Sequence, residues 1–486
     1  MRYSGLIAGV LSLVTVGAVG VSAAPSRTPA PAQGASESPA SALAAGFSPD
    51  TDPGYADLRL QALRAAMAPA HFDLVGRWSG DVPIVLTYSF PPDGVDITGF
   101  GILNQAGNND ANERVNHLHA RFDSAFGGAD WKALYRAAFD AWEAVVPLRF
   151  VEVGDDGARW PDSPGPYTDP TQSIADETVL RGDIRIIGAR DDGAGGLWAF
   201  NYFPSVGDMF MDTADAQTLA LSTSNFRRIR NLIAHELGHG IGLDHSCPND
   251  NLRLMQPFIT SEFDGPQFDD ELGAQTHYGD RFEPNDSPAT ATPRAASGLV
   301  AEAGGVFVGS LSLGGASDGD FMAFPASAGT ELSVTVRPSR FVYPAGPQLG
   351  SGCPVPGGGW PQFDSSDKVD LALVVLAPDG GILAQSNLGD LGEDELLGPV
   401  VLPTGGEYTI GIVGFGGAQA QAYLLRVAAV DPALRADLNA DGVVNAVDLS
   451  RLIGFWGLPD AAADLDGDGV VGGADLGVLL GFWSGP

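Results

Sequence analysis

The sequence predicts a multidomain chain: an α+β domain with a mixed sheet and long helices, then an all-β sandwich, then a small α-helical module. Three observations lead there. At 486 residues the chain is too long for a single domain, and length alone suggests about three. Between residues 76 and 281, β-rich runs alternate with apolar residues at helical spacing, whereas residues 284–430 hold β-runs separated by Pro, Gly and Asp turns. Residues 434–484 contain an internal repeat of acidic loops, each followed by helix-like sequence. The division is therefore 1–23, 24–75, 76–281, 282–430 and 431–486.

Residues 1–23 read as a signal peptide. Arg2 supplies the charge, Leu6 to Val21 is apolar, and Val21-Ser22-Ala23 offers small residues at the cleavage positions. The stretch is short for a membrane span and leads into Pro/Ala/Ser-rich sequence, so no span is expected after its removal. The expected location is extracellular, secreted or at the cell surface. Residues 24–50 are poor in aromatics and read as a disordered spacer. Leu58, Leu60, Leu63 and Met67 then recur at helical spacing, so 24–75 is either a spacer or a short prosegment. Net charge is −34, with 60 acidic against 26 basic residues, which argues against nucleic acid and anionic membrane partners. Cys247 and Cys353 are the only cysteines; export permits one bridge, but spacing does not show whether their Cβ atoms meet.

The α+β domain opens with a strand at Pro83 to Phe90. Residues 91–127 look loop-rich, with a turn signal at Gly107-Asn108-Asn109-Asp110. Trp131, Leu134, Ala138, Trp142 and Val145 mark a helix that Pro147 stops. Leu148 to Val153, Asp183 to Ile187 and Gly196 to Phe203 are the next strands. A further helix is expected from Ser224 as N-cap, with Phe226, Ile229, Leu232 and Ile233 on its core face. Phe268 begins a last helix that ends at Tyr278-Gly279.

That second helix carries His235-Glu236-Leu237-Gly238-His239-Gly240-Ile241-Gly242-Leu243-Asp244-His245, which is HExxHxxGxxH. His235 and His239 are one helical turn apart, so both imidazoles can share a zinc ion. Gly242 can adopt positive φ, end the helix and let the chain deliver His245 as third ligand. Three nitrogens with one open position form a catalytic zinc site rather than a closed structural one. Glu236 lies beside them, placed as general base toward zinc-activated water.

This run resembles the metzincin metallopeptidases, and Leu243-Asp244-His245-Ser246 is similar to their matrixin branch. Leu254-Met255-Gln256-Pro257 resembles the methionine turn of that family, beneath the zinc. The resemblance covers about residues 76–281 and implies a zinc-dependent endopeptidase acting on protein or peptide substrates. It implies that Leu197, Trp198 and Ala199 lie on an edge strand above the cleft, able to bind extended substrate by strand addition. It also implies calcium held by Asp192, Gly193, Asp212 and Asp215, which are hard oxygen donors and a glycine that lets carbonyls turn inward. The sequence departs from the family at three places. Phe210 stands where matrixins have a histidine for a second, structural zinc, and no histidine lies between 120 and 234, so one zinc is expected. Pro257 stands where some branches carry a tyrosine ligand, and no cysteine precedes residue 76, so a cysteine switch is absent.

The β-runs of 284–430, such as Glu331 to Val336 and Leu371 to Leu376, form a sandwich pattern. With Glu283-Pro284-Asn285-Asp286 and Asp318-Gly319-Asp320-Phe321 in place, it resembles the β-sandwich that follows many secreted bacterial peptidase domains. In the repeat, Asp437, Asn439, Asp441 and Asp448 correspond to Asp464, Asp466, Asp468 and Asp475, with Val443 and Val470 supplying a carbonyl. Each loop can wrap one calcium ion. The pair resembles dockerin modules, implying two calcium ions and a cohesin-like or cell-surface partner. A rival reading is a non-catalytic extracellular adhesive or scaffold protein with a vestigial peptidase domain. Hydrolysis of a non-protein amide or ester is another.

Overall fold

The computed structural model describes Leu43–Phe47, residues 74–97, 114–159 and 181–302, and, with short gaps, 305–484. The expected signal peptide, the helix at 55–67 and the turn at 107–110 lie outside the described residues. The chain divides into two compact units. One runs to Pro284 and takes in Phe341–Asp364; the other holds Asn285–Arg340 and Ser365 onward.

The first unit is built on a six-stranded mixed sheet. Its strands are β1 (Leu43–Phe47), β2 (Ile84–Ser89), β3 (Leu148–Glu152), β4 (Ile184–Ala189), β5 (Leu197–Tyr202) and β6 (Met209–Asp212), in the order β1-β5-β6-β4-β2-β3. β2 runs parallel to β3 and β4, and β4 parallel to β6, while β5 runs antiparallel to β6. β4, β5 and β6 are buried along their whole length, as their mostly apolar sequences require, and the one arginine of β4, Arg185, is paired with Asp155.

Four helices complete this unit's main frame: α1 (Leu118–Phe126), α2 (Lys132–Glu143), α3 (Arg227–Gly240) and α4 (Phe268–Tyr278). α1 lies in the stretch expected to be loop. Its buried Leu118, Phe122 and Phe126 recur every fourth residue, a helical stripe hidden by the turn-rich sequence before it. Trp142 of α2 is fully buried and donates from Nε1 to Ala234 O of α3 at 2.8 Å, so the two helices lock together over the sheet. α3 starts two residues later than expected. Ser224, Asn225 and Phe226 all take the left-handed conformation, at φ 52°, 54° and 58°. Phe226 becomes the N-cap, with no side-chain cap, so Ser224 cannot fill that role. The end of α4 matches expectation, with Gly279 as its C-cap.

Two features of this unit were not expected. The strand β5, read as a sheet edge, has β1 paired antiparallel on its outer side, from Leu43↔Tyr202 to Phe47↔Leu197. Residues 341–364, read as part of the sandwich, fold here instead. Val342–Pro344 pairs with Gln362–Asp364, and Gly346–Pro347 pairs with β7 (Ser246–Cys247). Cys247 and Cys353 form a disulfide with Cα atoms 5.5 Å apart.

The second unit contains two five-stranded sheets. One is ordered Glu395–Val401, Glu331–Pro338, Gln421–Val430, Val306–Leu313, Val300–Glu302; the other Ile382–Ser386, Asp370–Leu376, Gly406–Phe415, Gly319–Ala326, Thr292–Pro293. In Glu331–Pro338, Leu332, Val334 and Val336 are buried alternately with half-exposed neighbours, the period-two signature that predicted a strand. The same unit holds the repeat. Helices α5 (Ala446–Gly454) and α6 (Gly473–Gly481) each follow an acidic loop, around a small core of Ala436, Val444, Leu452, Ala463, Leu465, Val471 and Leu479.

Candidate metal centre

α3 carries two of the three motif histidines on one face, as the four-residue spacing requires. Its C-terminal end is closely held. Trp78 Nε1 donates to Gly240 O at 2.7 Å and the Tyr278 hydroxyl donates to Ile241 O at 2.9 Å, satisfying carbonyls a helix end leaves open. Gly242 has φ 101°, and a Cβ there would lie 2.4 Å from Gly76 O, so only glycine allows the reversal. The chain then doubles back and brings in His245.

The three Nε2 atoms converge. His235 and His239 are 3.1 Å apart, and His245 is 3.2 Å from each. A tetrahedral zinc with nitrogens about 2.0–2.1 Å away needs ligand separations of about 3.3 Å, so the donor set fits that ion. The opposite ring nitrogens carry the hydrogens. His235 Nδ1 donates to Leu254 O at 2.7 Å and His239 Nδ1 to Leu243 O at 2.6 Å, which turns each Nε2 lone pair inward. Burial holds His235 well below the usual imidazole range, at about 4, while its bond to Leu254 pulls the other way. His235 is thus a neutral donor near pH 7. Glu236 is fully buried in the same turn.

Met255 packs against the histidine helix at Gly238. A Cβ on Gly238 would fall 2.4 Å from Met255 Sδ, so the helix glycine is what lets the turn approach. Sequence reasoning missed the residue that holds this turn. Asp270 of α4 accepts from Leu254 N at 2.7 Å, Met255 N at 2.9 Å and Gln267 N at 2.8 Å. Burial, with Asp269's charge beside it, raises Asp270 to about 7, and those N–H donors oppose the rise. Asn231 was also missed. Buried on α3, it donates to Thr260 O and Phe263 O, both at 2.9 Å, and accepts from Gly265 N, pinning the loop after the turn. Neither had a signal in the sequence beyond a polar residue beside an apolar run.

Leu197, Trp198 and Ala199 are buried on β5, with β1 outside them. Asp192 in the loop before β5 lies near Asp212 at the end of β6, Asp215 approaches the same loop at Gly195, and Gly193 takes φ 98° within it. Asp192 N donates to Asp212 at 3.2 Å, and Gly195 N to Asp215 at 2.7 Å. Burial first, then the neighbouring Asp192, pushes Asp212 up to about 8; the same causes push Asp215 up to about 6. Three carboxylates so placed repel when ionised, which a cation would offset. Their oxygens do not all gather within 4.8 Å, as the histidine nitrogens do. Phe210 is fully buried and stacks on Phe200 with centroids 4.7 Å apart.

In the repeat, the two loops share two hydrogen bonds at equivalent positions and differ in the N–H that reaches the first Asp. Asn439 N donates to Asp448 at 3.0 Å and Asp466 N to Asp475 at 3.1 Å. Val443 N donates to Asp441 at 3.0 Å and Val470 N to Asp468 at 2.9 Å. Asp437 accepts from Asp441 N at 3.1 Å, and Asp464 from Gly469 N at 2.8 Å. Asp464, Asp466 and Asp475 place oxygens within 4.8 Å of one another.

Residues 182–279, which hold all three histidines, Glu236 and Met255, match the family model described as Matrixin. This part of the chain is matrixin-like. Matrix metalloproteinase-16 of Homo sapiens is 33% identical over 179 residues, covering 33% of this chain and 26% of that protein. Metalloendoproteinase 4-MMP of Arabidopsis thaliana is 25% identical over 208 residues, covering 42% of this chain and 48% of that one. The hatching enzyme of Paracentrotus lividus is 29% identical over 194 residues, covering 37% and 28%. The chain thus spans between 26% and 48% of the length of these relatives. Among solved structures, a periplasmic inhibitor of g-type lysozyme from Aeromonas hydrophila aligns with a TM-score of 0.17 at 14% identity, covering 29% of this chain and 95% of that one. A likeness at that score carries no argument. No described helix is long and apolar enough to cross a membrane.

Proposed function

We propose that this chain is a secreted, calcium-stabilised zinc endopeptidase with Glu236 as general base. One observation carries the reading: the convergence of three Nε2 atoms at 3.1–3.2 Å next to a buried glutamate, on a helix–turn unit that only glycine at 242 permits. Zinc held by His235, His239 and His245 supplies Lewis acidity, which acidifies water and offsets charge on a carbonyl oxygen. Glu236 takes a proton from water as its oxygen bonds to the peptide carbonyl carbon. The carbon–nitrogen bond then breaks, and Glu236 delivers that proton to the departing amine. Leu197, Trp198 and Ala199 guide the substrate by strand addition to β5. The pairing of Leu43–Phe47 with β5 supports this, since the outer side of β5 accepts an extended segment.

One zinc per chain follows from Phe210, whose buried stack on Phe200 leaves no donor at that position. Calcium in the first unit is held by Asp192, Gly193, Asp212 and Asp215. Two further calcium ions sit in the dockerin-like repeat: Asp437, Asn439, Asp441, Val443 and Asp448 hold one, and Asp464, Asp466, Asp468, Val470 and Asp475 the other. That module docks a cohesin-like or cell-surface protein. Exposed Val447, Ile453, Trp456, Leu480 and Trp483 support such docking, being large apolar groups left on a small surface.

Digestion of casein or gelatin by the full chain, with and without a zinc chelator, tests the peptidase reading. Chelator-sensitive cleavage supports it. A folded, zinc-loaded chain that cleaves neither favours the adhesive or scaffold alternative.

A further inference from the structure

The support beneath the histidines reaches well past the segment that contains them. Arg253, two residues before Met255, is 1% exposed and fully engaged. Its Nε donates to Asp269 at 3.3 Å, Nη1 to Pro248 O at 3.0 Å, and Nη2 to Pro344 O at 2.6 Å. The Tyr343 hydroxyl, 74 residues downstream of Asp269, donates to that same carboxylate at 2.8 Å. The Arg253 guanidinium lies over the Tyr343 ring, 5.6 Å from its centroid. Burial first, then Asp269's charge, raises the Tyr343 phenol, so it stays a donor at any working pH. On the other flank, Gly346 pairs with Cys247, two residues after His245, and Cys353 is bonded to that cysteine.

Residues 341–364 therefore grip the chain at two points, one two residues from His245 and the other two residues from Met255. The consequence runs through identifiable bonds. Asp269 adjoins Asp270, which fixes the N–H groups of Leu254 and Met255. The Leu254 carbonyl in turn orients the His235 ring. Loss of the Tyr343 hydroxyl removes one donor from a carboxylate that is 7% exposed and loosens the Arg253 bridge to Pro344.

We infer that residues 341–364 complete the metal centre of this chain, with Tyr343 as a positioning residue for it. The inference rests on the proposed reading only in taking zinc as the bound ion. It assigns part of the metal site to sequence lying beyond the matrixin-like region. Partners that orient metal ligands typically contribute about 10–100-fold to metal retention, and Tyr343 acts one contact further out, so the lower end applies.

The test uses the zinc-loaded full chain and times zinc transfer to a chromogenic chelator, at a temperature where circular dichroism shows every variant folded. Tyr343→Ala should release zinc roughly 10-fold faster than the unaltered chain. Tyr343→Phe, which keeps the ring over Arg253, should fall between the two. Phe341→Ala is the control: it lies on the same segment and packs on Phe268 with ring centroids 4.5 Å apart, but its hydrocarbon side chain has no hydroxyl to donate to Asp269. It should release zinc at the unaltered rate. In peptide cleavage, Tyr343→Ala should lower kcat and leave KM in place. Unaltered zinc release from Tyr343→Ala would overturn the inference, as would equal acceleration by Phe341→Ala. Should the unaltered chain bind zinc yet cleave no peptide, the release rates still decide this point while the peptidase reading falls. A chain that takes up no zinc would overturn both.

Discussion

Asp270 accepts the backbone N–H of Met255 at 2.9 Å, across 15 residues of sequence. The same carboxylate takes Leu254 N and Gln267 N, so one side chain sets the turn on which the metal-facing histidine His235 leans. Asp270→Ala leaves two buried N–H donors and one half-buried one unmet. We expect it to destabilise the folded chain by about 3–5 kcal/mol, and Asp270→Asn, which keeps one acceptor oxygen, by about 1–2 kcal/mol. Urea unfolding in excess zinc measures both. An unchanged midpoint for the alanine variant rules this role out.

Glu236→Gln keeps all three histidines and most of the side chain's shape. Elemental analysis should find one zinc per chain in both proteins. Peptide hydrolysis should fall by about 10²–10⁴-fold, because an amide cannot shuttle the proton. Near-normal turnover removes Glu236 from the chemistry, and two tightly held zinc ions contradict the reading of Phe210.

β1 pairs along the outer side of β5, the strand proposed above to take an extended substrate. A tethered strand competes at an effective concentration on the order of millimolar. Deleting residues 24–47 should lower KM for peptide substrates several-fold and leave kcat unchanged. Steady-state kinetics on the two chains checks this. An equal KM shows that β1 does not compete with substrate.

Among its described residues, the repeat has a core of only seven buried apolar or small side chains. Burial on that scale barely offsets the conformational entropy of a segment of about fifty residues. Four or so carboxylates per loop also repel one another without cations, so calcium should drive folding. Isolated residues 431–486 should be largely unfolded in chelator and gain helix with calcium, by circular dichroism. Asp437→Ala combined with Asp464→Ala should abolish the transition. A spectrum indifferent to calcium sinks the dockerin-like reading and leaves the peptidase reading untouched.

What the sequence by itself determined is local. The histidine spacing, the glycine at 242 and the loop spacing of the repeat are written in consecutive residues, because helix and turn geometry act over a few positions. The convergent Nε2 atoms, the methionine beneath Gly238 and helices α5 and α6 follow from those patterns. So do strands of the two five-stranded sheets such as Glu331–Pro338, whose alternation is a property of the strand alone. Tertiary structure decided what joins distant segments. Only folding could bring Asp270 to Met255, Asn231 to the loop at 260–265, or Cys353 within bonding distance of Cys247. It placed Leu43–Phe47 on the outer side of β5, and put residues 341–364 in the unit that holds the histidines. Such pairings leave no periodic trace, because a single hydrogen bond or disulfide depends on where two surfaces meet and not on the residues flanking either partner.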